Sequence, residues 1–249
     1  MRIALVGLVC CALSLVASHA EATRLRDLYP ELAGRKDSLG AVALLTDASI
    51  YIDTHWDEKA DTRLSRVIAE KSVALFARGL AAKGYRVTLA RVASLGVLLP
   101  EETPFLPLSP GDREGYPVDS TGHMHAPFFL DTLVGGTGEQ GRAWAAVARA
   151  MHEYVPDLPR PHPDSAVVRL AERLGVEALV IVTAAESRVS AGRQLTETTA
   201  TRIAVKPAIA FSVLDGRTGR VLWHEATHPP TLSRFVLEEE AEGLLLNLP

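Results

Sequence analysis

The chain has 249 residues, of which 47% are hydrophobic and 22% are charged, and its formal net charge is −4 at pH 7. This composition excludes a wholly disordered chain. The negative charge excludes a nucleic-acid binder that works by neutralising phosphates, because such proteins carry clustered positive charge. No stretch beyond the first 20 residues has the roughly 18 uncharged apolar residues of a membrane-spanning helix, so no membrane span is predicted.

Residues 1–20 have the pattern of a signal peptide. A short basic start at Met1–Arg2 precedes an apolar run from Ile3 to Val16, and small residues at Ala17–Ala20 suit signal peptidase. We therefore expect cleavage after Ala20 and export to the periplasm. Association with the outer membrane remains open at this stage.

Both cysteines, Cys10 and Cys11, lie inside this leader. Once the leader is removed, the chain has no disulfide, no thiolate metal ligand and no cysteine nucleophile. The alternative is that Cys10 or Cys11 is lipidated, as in bacterial lipoproteins. Gly7–Val9 does not provide the small residues expected directly before a lipidated cysteine, and the apolar run continues past Cys11. We therefore expect no lipid anchor.

The first half of the mature chain predicts a βαβ unit. Residues 21–37 form a polar lead-in, and 38–249 are expected to form one α/β domain. The nearly continuous apolar run Ala41–Ile52 is typical of a strand that is covered on both faces. A helix from Asp61 or Thr62 to Lys83–Gly84 and a strand at Tyr85–Val92 follow with short joins, so the two strands should be parallel.

A long Pro-rich loop is predicted at 97–137. Six prolines interrupt Leu99–Pro127, and ordinary connections have only about 4–6 residues, so a loop of this length is usually functional. Apolar side chains on an irregular segment must fold back onto the domain or contact a partner. We predict that Phe105, Leu106 and Leu108 contact a partner; the alternative is a static cover over the sheet.

The second half predicts two helices, three strands and a final helix. The segments are Gly141–Tyr154, Asp164 or Ser165 to Gly175, Ala178–Ala184, Thr199–Leu214, Arg220–Ala226 and a helix from Thr231–Leu232 to Leu246, with a tight turn at Asp215–Gly219. The whole chain is therefore predicted to have an α/β (α+β) fold, with a mixed β-sheet flanked by helices in the order β-α-β-loop-α-α-β-β-β-α.

One histidine pair could hold a metal. His123 and His125 are two residues apart, which places both imidazoles on one side of an extended segment. With a nearby carboxylate they could bind a divalent metal ion, although exposed loop histidines explain the same pattern. No other metal candidate is assigned.

No catalytic residue and no cofactor are predicted. The chain has no G-x-S-x-G pentapeptide, which serine hydrolases of the α/β class use to place their nucleophile. Gly136–Gly141 matches G-x-G-x-x-G, but the helix that follows runs into prolines instead of the second parallel strand of a dinucleotide-binding unit. We interpret this motif as a glycine-rich helix entry.

The order of these elements resembles a group of exported bacterial envelope proteins. The leader, the βαβ start, the helix-Gly-strand join from Leu170 to Ile181 and the single D-x-x-T-G-x-x-x-W hairpin from Asp215 to Trp223 are similar to the curli-secretion-lipoprotein (CsgG)-like and TolB N-terminal-like domains. The resemblance implies a mixed sheet flanked by helices and a non-catalytic role in envelope assembly, secretion or partner binding. The lipobox of such lipoproteins is missing here.

The sequence therefore predicts a non-catalytic periplasmic or cell-envelope protein that acts as a binding or assembly module. Its expected partners are envelope proteins or a second copy of itself. The alternative is a metal-dependent hydrolase or metal-binding protein that uses His123 and His125.

Overall fold

The computed structural model describes residues 28–53, 58–98, 128–129, 131, 133–134, 139–156, 164–189 and 207–249. Within them, the helices are α1 (Pro30–Arg35), α2 (Thr62–Ala82), α3 (Glu139–His152), α4 (Asp164–Leu174) and α5 (Arg234–Asn247), with a short 3-10 helix at Lys36–Ser38. The strands are β1 (Ala41–Asp53), β2 (Glu58–Ala60), β3 (Arg86–Leu95), β4 (Phe128–Phe129), β5 (Ala178–Val189), β6 (Ala208–Asp215) and β7 (Val221–Thr227).

These strands form one mixed sheet in the order β4-β3-β1-β5-β6-β7, and β2 pairs with the end of β1. β1 lies parallel to β3 and to β5, whereas β6 runs antiparallel to both of its neighbours, β5 and β7. The predicted fold class and the predicted order of the main elements are therefore confirmed. The parallel βαβ start is also confirmed by the pairing of β1 with β3.

The central strands are apolar on both faces because helices cover each side of the sheet. Val42 and Leu44 of β1 belong to a first core cluster with residues of α2 and α5. Ala43 and Leu45, which point the other way, belong to a second core cluster with residues of α3 and α4. This alternation explains the nearly continuous apolar sequence of β1, since each face of the strand needs its own apolar side chains.

Local sequence signals set the ends of α2. The Asp61 side chain accepts a hydrogen bond from the backbone N–H of Leu64 at 2.9 Å, as an N-cap residue does. The helix ends at Lys83, and Gly84 follows with φ +88°, a conformation that glycine adopts without a steric penalty. Both ends agree with the prediction from the sequence.

The β6–β7 hairpin is closed by the predicted turn at Asp215–Gly219. Asp215 Oδ1 accepts hydrogen bonds from the backbone N–H groups of Arg217 and Thr218 at 2.8 and 3.3 Å. Burial raises the pKa of the Asp215 carboxyl, but the Arg35 hydrogen bond and charge, together with the backbone donors, outweigh it and hold the pKa below its usual range. Arg35 thereby ties α1 to the hairpin.

Candidate functional site

A buried network of polar side chains lies where β1, β3 and α3 meet. Asp47 of β1 stands opposite Ser94 of β3 in the parallel ladder, directly after a register shift between Thr46 and Asp47. Both side chains are fully or almost fully buried. In open α/β sheets, functional groups commonly lie near the carboxyl ends of the parallel strands. Ser94 is at such an end, since β3 ends at Leu95.

Hydroxyl groups surround the Asp47 carboxylate. Ser94 Oγ donates to Asp47 Oδ1 at 2.6 Å, and Ser49 Oγ donates to Oδ2 at 2.8 Å. Trp144 Nε1 of α3 in turn donates to Ser94 Oγ at 2.7 Å. The network therefore joins two strands and one helix, and it gives a buried acid the hydrogen bonds that burial requires.

Burial raises the pKa of the Asp47 carboxyl to about 6. The hydrogen bonds from Ser94, Ser49 and the backbone N–H of Val97, together with the positive charge of Arg149, act in the opposite direction. Desolvation of the charged form is therefore the larger effect. The carboxyl group changes its charge in a mildly acidic range, well above the range of an exposed aspartate.

The same network holds the chain at the point where it leaves β3. The backbone N–H of Gly96 donates to Ala48 O at 3.1 Å, and the backbone N–H of Leu98 donates to Ser49 Oγ at 3.0 Å. Arg149 Nε of α3 donates to Val97 O at 2.8 Å. Residues 96–98 are thus bound to β1 and α3 directly before the segment 99–127 begins.

The chain returns from that segment to the same strand end. β4 pairs antiparallel with β3, with Phe128 opposite Leu95 and Phe129 opposite Ser94. The backbone N–H of Asp131 then donates to Ala93 O at 3.4 Å, and the Asp131 carboxylate forms an ion pair with Arg91 at 3.2 Å. Both ends of the segment 99–127 are therefore held at the carboxyl end of β3. We call residues 96–98, 128, 129 and 131, with the Asp47 network behind them, the anchor.

A half-buried histidine, His152, and a buried one, His224, lie farther along the sheet. His152, the last residue of α3, forms a hydrogen bond through Nδ1 with Thr183 Oγ1 at 3.0 Å. His224 of β7 forms one through Nδ1 with Ser212 Oγ at 2.9 Å, and its ring centroid lies 4.9 Å from that of Tyr154. Burial lowers the pKa of each imidazole to about 4. Both rings are therefore neutral near pH 7. The hydrogen bond of His152 joins α3 to β5, and that of His224 joins β7 to β6.

Ser212 and His224 are residue types that serve as nucleophile and base in enzymes, but here neither is accessible to a substrate. The Ser212 side chain is fully buried, and only 4% of His224 is exposed. A nucleophile must meet its substrate, and the surroundings of this pair are core residues. The contact is therefore a structural hydrogen bond.

The site residues predicted from the sequence fall outside the described residues. This holds for His123 and His125, the metal candidates, and for Phe105, Leu106 and Leu108, the partner-binding candidates. Among the residues that the structure describes, no group of three or more His, Cys, Asp or Glu side chains is placed to hold a metal ion. In that same part of the chain, no helix combines the length and the apolar character needed to cross a bilayer.

The Asp47 network was not predicted from the sequence, although the sequence contains one signal of it. Asp47 interrupts the apolar run Ala41–Ile52, and an acid inside a strand that is covered on both faces must have buried hydrogen-bond donors. Its donor Ser94, and Trp144 which donates to Ser94, are far away in sequence, so only the packing of β3 and α3 against β1 identifies them.

Comparisons with known proteins give little further information. No protein-family model matches the chain, and no curated protein matches it. Among solved structures, the chain is similar to the C-terminal domain of LpoB from Salmonella enterica at 10% identity and a TM-score of 0.27, covering 83% of this chain and 96% of that one. It is also similar to the lipoprotein GNA1162 from Neisseria meningitidis at 13% identity and a TM-score of 0.28, covering 82% and 96%. Similarity at this level carries no argument about function, and the resemblance to CsgG-like and TolB N-terminal-like domains stays a prediction.

Proposed function

We propose that this chain is a non-catalytic module of the cell envelope that binds a protein partner through the segment 99–127. Phe105, Leu106 and Leu108 are the proposed contact residues. The observation that supports this proposal is the anchor, which holds both ends of a segment of 29 residues at one strand end. The signal-peptide pattern of residues 1–20 supports a periplasmic location.

An anchored loop suits partner binding for an entropic reason. The entropic cost of bringing the two ends of the segment together is already met in the folded protein, so it does not oppose binding again. The six prolines of Leu99–Pro127 further restrict the backbone in the unbound state. Both effects lower the entropy that is lost on docking, which otherwise opposes association.

Residues outside the segment hold its N-terminal end. The backbone of residues 96–98 is bound by Ala48, Ser49 and Arg149, none of which belongs to the segment. A change inside the segment should therefore affect partner binding more than it affects folding.

Deleting residues 101–118 tests the proposal. We expect the shortened protein to keep its free energy of unfolding within about 1 kcal/mol, because a shorter loop closes at slightly lower cost. We also expect it to lose the envelope proteins that co-purify with the full chain. Urea unfolding and quantitative co-purification measure the two effects.

A triple substitution provides the matched test at constant length. Phe105→Ser, Leu106→Ser and Leu108→Ser together should abolish co-purification, whereas Leu133→Ser, at an exposed leucine outside the segment, should not. A loss of several kcal/mol of stability in the deletion variant would mean that the segment is a static cover over the sheet, and the proposal would fail. If the co-purified protein is a second copy of this chain, sedimentation will show that the binding is self-association.

The alternative function, a metal-dependent hydrolase or metal-binding protein that uses His123 and His125, stays a prediction. No contact among the described residues favours it over partner binding. Elemental analysis of the untagged protein, compared with the His123→Ala variant, tests it directly.

A further inference from the structure

The last helix, α5, is fixed to the domain on three of its sides. Leu237, Ala241 and Leu244 are buried in the first core cluster. On one flank Glu238 forms an ion pair with Lys71 of α2, and on the other flank Glu240 accepts a hydrogen bond from Thr227 of β7. Position and rotation of the helix are therefore set by the fold.

The remaining side of α5 faces solvent, and we call it the outer face. It consists of five exposed residues: Phe235, Glu239, Glu242, Gly243 and Leu246. They lie on one side of the helix because residues three or four apart in an α-helix are neighbours on its surface. Phe235 is 84% exposed and Leu246 is 68% exposed, the highest values for large apolar side chains in the described part of the chain. With a rise of 1.5 Å per residue, these two side chains stand about 16 Å apart along the helix.

The centre of the outer face is acidic. Glu238 and Glu240 are engaged with Lys71 and Thr227. Within the described residues, no ion pair or hydrogen bond engages Glu239 or Glu242, which lie between Phe235 and Leu246. The outer face therefore offers two apolar anchors with two unneutralised carboxylates between them.

We propose that the outer face of α5 binds a basic amphipathic helix of a partner protein. Such a helix would set two apolar side chains against Phe235 and Leu246 and would place Lys or Arg residues against Glu239 and Glu242. Apolar contacts would supply most of the binding energy, and the complementary charges would fix register and exclude wrong partners.

The charge pattern disfavours a second copy of this chain as the occupant. In a two-fold pair of α5 helices, Phe235 of one copy would meet Leu246 of the other. The same arrangement would bring Glu239 and Glu242 of both copies together, and four carboxylates at the centre of an interface repel one another.

The outer face is separate from the anchor. α5 packs on the side of the sheet that carries the first core cluster, and the anchor lies on the side of α3. The inference rests on the proposed function only in that the chain works by binding proteins, and it does not require the segment 99–127. The two proposals can therefore fail independently.

The test uses the full chain and a dye-labelled synthetic helix that carries leucines at both ends of one face and lysines between them. Fluorescence anisotropy should show saturable binding. Phe235→Ser should weaken it by about tenfold or more, as for a large aromatic anchor residue, and so should the double variant Glu239→Lys, Glu242→Lys. The matched control is Glu172→Lys, which reverses an exposed acid on α4 and should leave binding unchanged.

Two further measurements complete the test. A peptide in which glutamates replace the lysines should bind the Glu239→Lys, Glu242→Lys variant but not the unchanged protein. The deletion of residues 101–118 should leave binding of the basic peptide intact, whatever it does to other partners. The proposal is overturned if the basic peptide does not bind, if Glu172→Lys weakens binding as much as the α5 variants do, or if the protein sediments as a dimer that Phe235→Ser dissociates.

Discussion

At the scale of single residues, Asp47 illustrates how a buried acid can hold a loop in place. Its carboxylate accepts hydrogen bonds from Ser49 and Ser94, and Ser49 in turn accepts one from the N–H of Leu98. The carboxylate has hydrogen-bond partners, but burial still destabilises its charged form and raises the pKa of Asp47 from 3.8 to about 6. The charged form is therefore less stable in the folded protein than in the unfolded chain.

This raised pKa predicts a specific pH dependence. Between about pH 4 and 6 the folded protein binds a proton at Asp47 that the unfolded chain has released, so this residue lowers stability as the pH rises through that window. The free energy of unfolding of the unchanged protein, relative to an Asp47→Asn variant, should therefore rise by on the order of 2–3 kcal/mol when the pH falls from about 7 to about 4. Urea unfolding of both proteins at several pH values measures this difference, in which the other titrating groups cancel.

Parallel stability curves for the two proteins would show that Asp47 keeps an ordinary pKa. His152 and His224 have pKa values lowered to about 4, so the unfolded chain takes up their protons first as the pH falls. These two histidines therefore lower the free energy of unfolding at acidic pH, and they do so equally in both proteins. The comparison with Asp47→Asn is therefore more informative than the pH profile of either protein alone.

At the scale of elements, helix ends and turns were predictable from the sequence. The pairing of strands that lie far apart in the sequence was not. The ends of α2 and the turn at Asp215–Gly219 follow from capping and turn residues that lie next to them. β4 has only two residues and exists through its pairing with β3, so no periodicity announces it. The sequence predicted a strand at Thr199–Leu214; β6 begins at Ala208, directly after Pro207, and residues 199–206 lie outside the described residues.

Two helix glycines give a matched prediction about helix packing. A Cβ atom added at Gly243 of α5 meets no atom within 4 Å, whereas one added at Gly79 of α2 overlaps the Leu245 side chain of α5. Gly243→Ala should therefore stabilise the protein by roughly 0.5–1 kcal/mol through helix propensity. Gly79→Ala should lose that gain and destabilise by about 1–3 kcal/mol, because Leu245 is packed against α2 and must move.

Urea unfolding of the two alanine variants measures both effects. Equal stabilisation by the two substitutions would show that α5 does not pack closely on α2 near Gly79. That result would also weaken the definition of the outer face, which depends on the rotation of α5 against the domain.

At the scale of the whole molecule, the sheet separates two surfaces that could bind proteins. The segment 99–127 leaves and rejoins β3 beside α3, and the outer face of α5 lies on the other side. The sequence alone predicted the first of these regions, because prolines and apolar residues in a long irregular segment are visible without a structure. It could not predict the outer face, since the exposure of Phe235 and Leu246 depends on how α5 is rotated against α2 and β7.

The central claim, that the segment 99–127 contacts a partner, is tested most directly by photo-crosslinking in the intact cell envelope. A photoreactive amino acid replaces Phe105, and the same group at Glu172 on α4 serves as the control. We predict a crosslinked product from position 105 with the added mass of a second protein, and none from position 172. A crosslink from position 105 that stays within its own chain, with no increase in mass, would contradict the claim and show that the segment covers the sheet.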